Sequence, residues 1–110
     1  MQKIFVMYKL NSGVSLDEYV QWSQGVDQPI TSNHPPCIRF EAYAIEGARE
    51  GVPIYDIIEE IEVDSWSAWQ GVPDSPGKRK VAETFPKYAD LATRQVVYGA
   101  RIRPAADWRR

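Results

Sequence analysis

Ile54-Tyr55-Asp56-Ile57-Ile58-Glu59-Glu60-Ile61-Glu62-Val63, running on into Asp64-Ser65-Trp66-Ser67-Ala68-Trp69, is the stretch that decides the fold. Ile and Val alternate with carboxylates over much of the first part, the pattern of a strand with one buried face. Asp64 and Ser65 then offer side-chain oxygens to the free N–H groups that open a helix. Ile54–Val63 is therefore expected as a strand and Ser65–Gly71 as a short helix.

The neighbouring segments extend this reading in both directions. Cys37–Ile45 is a second strand, joined to the first by a connection at Glu46–Pro53 that holds Gly47 and Gly51. Upstream, Lys3–Leu10 alternates as a strand and Asn11-Ser12-Gly13 turns the chain. Ser15 and Glu18 have the spacing of a capping box. Leu16, Tyr19, Val20, Ser23, Val26 and Ile30 then share one helical stripe, which places a helix over 15–28, with Pro29 expected to end or kink it. Downstream, Lys78–Phe85 is helical until Pro86 interrupts it, and Leu91–Ile102 is the last strand. The order β-α-β-β-α-β is the ferredoxin-like split arrangement: α+β, a four-stranded antiparallel sheet with helices on one face. One domain over 1–103 and a C-terminal tail over 104–110 account for the whole chain of 110 residues.

A hairpin centred near Arg49 and Glu50 sets Phe40, Ala42 and Ala44 beside Glu59, Ile57 and Tyr55, the more apolar set, suited to the helices. The opposite set is Arg39, Glu41, Tyr43 and Ile45 with Glu60, Ile58, Asp56 and Ile54. A slip of one residue would exchange the faces. Neither set is simply polar, which favours two copies closing a shared barrel over an isolated open sheet. Glu59 is out of place between Ile57 and Ile61. It marks either an error of register or a carboxylate paired with a helix residue.

Composition narrows the function classes. A net charge of −2 and a pI near 5.4 argue against nucleic-acid binding. No apolar run approaches the roughly 20 residues of a membrane span. The start of the chain lacks the long apolar region of a signal peptide, and Cys37 has no second cysteine with which to pair, so a cytoplasmic location is expected. Four Trp, six Tyr and three Phe are generous for this length and point to a second apolar surface, a cavity or a subunit interface.

Tyr55-Asp56 and Val63-Asp64-Ser65 at the ends of the third strand, Trp66 and Trp69 in the helix after it, and Val97-Tyr98-Gly99-Ala100-Arg101 in the last strand resemble the dimeric α+β barrel superfamily, which includes EthD-like proteins. The likeness is nearest to the HapK or REDY-like family, found with prodiginine pigment biosynthesis. It implies a homodimer and a role on an aromatic or pyrrolic intermediate of such a pathway. The expected chemistry is cofactor-free proton transfer in a condensation, cyclisation or oxidation; the alternative is a non-catalytic carrier or accessory protein. Many EthD-like chains carry a His near the end of helix one, where this chain has Asp27-Gln28-Pro29. No catalytic His can be carried over to that position. Asp27 is either a substitute base or, more plainly, a helix-end carboxylate.

Among individual residues, His34 alone has an ordinary pKa near neutrality; it is a candidate base or an exposed loop residue. Tyr43 and Asp56, with Arg39, Glu41, Ile58 and Glu60 around them, form a possible proton-transfer and binding set on one sheet face, or equally the seam of a dimer. Trp66 and Trp69 share a face of their helix and suit either stacking on a flat ligand or packing in a core. Lys78, Arg79 and Lys80 lie in a helix's first turn, against its dipole, which suggests an anion site or simply a solvated basic turn. His34 and Cys37 are a poor metal set, and no cofactor fingerprint is present, so neither metal nor cofactor is expected.

Overall fold

The computed structural model describes residues 1–103; the expected tail, 104–110, lies outside the described residues. Four strands, β1 (Gln2–Leu10), β2 (Cys37–Ala44), β3 (Ile57–Val63) and β4 (Ala89–Gly99), form one antiparallel sheet in the order β2-β3-β1-β4. With the intervening helices they make the expected ferredoxin-like α+β fold.

The first helix begins as its sequence dictates. Ser15 Oγ accepts from the Glu18 N–H at 3.1 Å, and Glu18 reaches back to the Ser15 N–H, closing the capping box. Gly13, at φ +86°, makes the turn before it, a conformation that only glycine adopts freely. The helix does not end at Gln28. It runs as α1 (Leu16–Trp22), widens into a π turn over Ser23–Asp27, and continues as α2 (Gln28–Thr31). Pro29 is tolerated because it falls in the first turn after the widening, where a missing N–H does least harm.

The strands on either side of the long connection are shorter than expected. β2 ends at Ala44 and β3 begins at Ile57, so Ile54, Tyr55 and Asp56 precede the strand. Side-chain bonds to residues distant in sequence hold this segment. The Tyr55 phenol donates to Gln95 Oε1 at 2.7 Å, and Asp56 Oδ2 accepts from the Leu10 N–H at 2.9 Å. The pairing of β2 with β3 is displaced two residues from the expected register: Phe40 lies opposite Ile61, Ala42 opposite Glu59 and Ala44 opposite Ile57. A shift of two preserves the faces, because side chains alternate with a period of two. A bulge between Cys37 and Arg39 absorbs a further irregularity.

Both helical layers cover one face. Tyr8, Tyr19, Trp22, Ile57 and Ala89 form one buried cluster, backed by Val81 and Phe85; Ile4, Ile61 and Val63 form another, backed by Trp66 and Trp69. The short helix α3 (Trp66–Gln70) is capped by Ser65, whose Oγ accepts from the Ala68 N–H at 2.9 Å. Helix α4 (Pro76–Thr84) starts two residues earlier than expected, because Ser75 caps it and Pro76 fits its first turn. A 3₁₀ turn at Phe85–Lys87, around Pro86, leads into β4. No helix among the described residues is long and apolar enough to cross a membrane.

The opposite face of the sheet is bare. It carries Lys3, Phe5 and Met7 of β1, Arg39, Glu41 and Tyr43 of β2, Ile58, Glu60 and Glu62 of β3, and Gln95 and Val97 of β4. Lys3 is paired with Glu60, and Arg39 with Glu41 at 2.9 Å. Tyr43 is 45% exposed there.

Candidate functional site

A cavity of about 350 Å³ lies between the helices and the covered face of the sheet, within the size range of small-molecule sites. Ile4, Val6, Ile61 and Val96 form its sheet wall, and Val81 and Ala82 of α4, with Phe85 of the turn after it, its helical wall. The aromatic end is made by Trp66, Trp69 and His34. Trp66 stacks on Tyr98 of β4, rings 4.4 Å apart and 4° from parallel, while His34 meets Trp69 edge-on at 5.5 Å.

The polar part of the wall is acidic and buried. Glu59 stands at the centre of β3, where Ile57, Ile61 and Val63 otherwise give an aliphatic face, and it is 5% exposed. Asp27, the last residue of the π turn, is 4% exposed and lines the same cavity. Each has a single fixed partner on the protein side. The Tyr8 phenol donates to Glu59 Oε2 at 2.5 Å, and the Thr31 hydroxyl donates to Asp27 Oδ1 at 2.6 Å. Tyr8 has spent its only proton on Glu59, so the Tyr19 phenol, 2.5 Å away, must donate to Tyr8.

Burial sets the charge state of this group. It raises the Glu59 carboxyl far above the ordinary range, and the nearby Asp27 charge adds to the effect; the hydrogen bond from Tyr8 only partly opposes it. Burial raises Asp27 as well, against the bond from Thr31. Two carboxyls desolvated near each other resist double ionisation. Burial likewise pushes the Tyr8 and Tyr19 phenols up, so both stay protonated. His34 is held below its ordinary value, first by partial burial and then by the Lys78 charge, and is neutral at pH 7. A buried acid pair of this kind can take or give a proton near neutrality beside a bound molecule.

The nine residues singled out from the sequence are divided by the sheet. His34, Trp66 and Trp69 come together at the cavity. Arg39, Glu41, Tyr43, Ile58 and Glu60 share the bare face, as the pairing of β2 with β3 places them, and have no helix over them. Asp56 sits at the end of β1, bonded to the Leu10 N–H. Sequence reasoning missed Tyr8 as a partner of Glu59 because an aromatic in an alternating strand reads as core. The mark of Glu59 was legible, but its hydrogen-bond partner is Tyr8 of β1 rather than a helix residue, and the expected register was also two residues out. Among the described residues no group of three or more His, Cys, Asp or Glu side chains could hold a metal ion.

Comparison with known proteins agrees with this architecture. HapK from Hahella chejuensis superposes with a TM-score of 0.75 at 17% identity, covering 96% of each chain. An EthD family protein from Bacillus halodurans gives a TM-score of 0.72 at 15% identity, over 93% of this chain and 99% of that one. A protein from Thermobifida fusca described as dimeric and ferredoxin-like gives 0.67 at 21% identity, over 91% and 90%. Comparison with curated protein sequences gives no match. The family model described as REDY-like protein HapK matches residues 2–102, and the chain therefore belongs to the HapK family.

Proposed function

We propose that this protein acts in small-molecule biosynthesis by holding an aromatic or pyrrolic intermediate, of the kind from which prodiginine pigments are built, against Glu59 and Asp27. The observation that carries the reading is the buried acid pair in the wall of an otherwise apolar, aromatic-ended cavity. In a condensation or cyclisation the ionised member takes a proton from the substrate carbon or nitrogen, and the protonated member returns one to the departing oxygen. The pair finishes with the proton count it began with. Tyr8 orients Glu59, and neutral His34 supplies a further hydrogen bond at the aromatic end. No cofactor enters this scheme.

The test is turnover of a bipyrrole precursor by purified protein. Loss of rate in both Glu59→Gln and Asp27→Asn supports the scheme, and unchanged turnover in both removes it. Tyr43→Phe and Asp56→Asn test the other proton-transfer set, which requires a cavity closed over the bare face by a second copy. A non-catalytic carrier is the second reading, favoured by the aromatic wall of Trp66, Trp69 and Phe85. It predicts saturable quenching of Trp fluorescence without any product.

The bare sheet face supports a homodimer, since Phe5, Met7, Ile58 and Val97 lie on it without a covering layer. Arg39, Glu41, Tyr43 and Glu60 would then be seam residues. Sedimentation at micromolar concentration checks this, and a monomer there ends the dimer reading. A cytoplasmic setting belongs to the same proposal.

A further inference from the structure

Two groups in the cavity wall are not used by the acid pair: Lys78, at the start of α4, and Arg94, on β4. Lys78 is half-buried and Arg94 is exposed. The ion pairs among the described residues are Lys3 with Glu60, Arg39 with Glu41 and Arg79 with Asp74, so neither cation has a carboxylate partner. Lys78 Nζ donates to the Val72 carbonyl at 2.8 Å, which fixes the ammonium and leaves two of its three N–H groups free. The Arg94 guanidinium lies over the Phe85 ring, 5.9 Å from its centroid, a contact that leaves its donor edge free.

A cation drawn partly out of water beside apolar walls, without a counter-ion, is unfavourable unless something anionic joins it. Glu59 and Asp27 do not serve, because they lie beyond ion-pair distance of both cations. His34, next to Lys78, is neutral and adds no charge. At the same end the walls are flat: His34 stands edge-on to Trp69, with Trp66 beside them.

We infer that the cavity takes a flat aromatic acid, its ring against Trp66 and Trp69 and its acidic group seated on Lys78, with Arg94 adding to the positive field. This rests on reading the cavity as a ligand site. It goes further in assigning the ligand a charge and an orientation: the acidic group at the His34–Lys78 end, the ring extending toward Glu59 and Asp27.

Calorimetric titration with naphthalene-2-carboxylate and its neutral isostere naphthalene-2-carboxamide tests the inference without knowledge of the natural ligand. The wild-type protein is expected to bind the carboxylate at least about tenfold more tightly, as a charge-assisted contact gives over a neutral one. Lys78→Gln should remove most of that preference while leaving carboxamide binding unchanged, and Arg94→Gln should reduce it by a smaller factor. Equal binding of the two probes to the wild type, or a preference that survives Lys78→Gln, overturns the charge assignment and leaves the cavity reading standing. Binding of neither probe overturns both. The two-probe comparison on the wild-type protein stands even if a variant fails to fold.

Discussion

The phenol of Tyr8 donates to Glu59 Oε2 at 2.5 Å, at the one position of β3 where a carboxylate interrupts an otherwise aliphatic face. Both groups are buried, and Tyr19 backs the phenol from behind. The chain thus buries a titratable group in its core and builds a polar bracket around it, which has consequences that can be measured.

Stability should fall as pH rises. Glu59 in the folded protein keeps its proton until about pH 8, whereas the unfolded chain releases it near the ordinary glutamate value. Across that window the native state binds more protons, so unfolding becomes easier with increasing pH and levels off above it. Asp27, raised in the same direction, adds to the slope, while Tyr8 and Tyr19 stay protonated throughout. Urea unfolding of wild type should lose on the order of 2–4 kcal/mol over this range. Glu59→Gln should flatten most of the loss, and an equally steep slope in that variant would falsify the assignment.

Tyr8→Phe removes the donor that holds Glu59 in place. Its cost is expected at about 1–3 kcal/mol, because a buried carboxyl loses its partner. The Glu59 carboxyl should titrate still higher in this variant, since the lost bond favoured the ionised form. Carbon-13 NMR of the Glu59 carboxyl reads the change directly.

Asp27→Asn should move the same NMR titration the opposite way. It removes the neighbouring negative charge and keeps an oxygen for the Thr31 hydroxyl, so the fold is preserved. If the acid pair moves a proton in turnover, the rate should fall about 10²- to 10⁴-fold. Shifts in the same direction for Tyr8→Phe and Asp27→Asn would mean that the two carboxyls do not sense each other.

Ser15→Ala tests the local structure that carries Asp27. Losing the capping box is expected to cost about 1 kcal/mol, seen as a lower urea midpoint with an unchanged slope.

The fold was legible because its signals are local. The Ser15–Glu18 box, the Ser65 cap and the alternation of β3 are each contained within a few residues, and each formed as expected. The faces of β2 and β3 were also readable, since a two-residue error in register leaves alternation intact. Element ends were less so: Tyr55 and Asp56 left the strand for partners on β4 and β1, contacts distant in sequence. The cavity was the hardest part. It is assembled from a helix end, three strands, α3, α4 and the turn that holds His34, and nothing in the spacing of Asp27, Glu59, Lys78 and Arg94 signals that they share a wall. Glu59 announced itself as misplaced, but its partner Tyr8 lies on another strand, and its acidic neighbour Asp27 depended on how the first helix was wound.

That winding carries a genetic consequence. The π turn Ser23–Asp27 spans one residue more than an α-helical turn would, so the chain beyond it is out of phase with α1. Winding the same residues as an ordinary α-helix would rotate everything after them by about 100°, whereas deleting a single residue there, Gly25 for example, would remove the widening and keep the chain beyond it in phase. In the first case Asp27 would swing off the cavity wall with no residue changed; in the second it would stay on it. Within this fold, then, the acid pair is encoded by how this segment is wound as much as by residue identity, and a relative one residue shorter in this helix, wound as a plain α-helix, would keep both the aspartate and the pair.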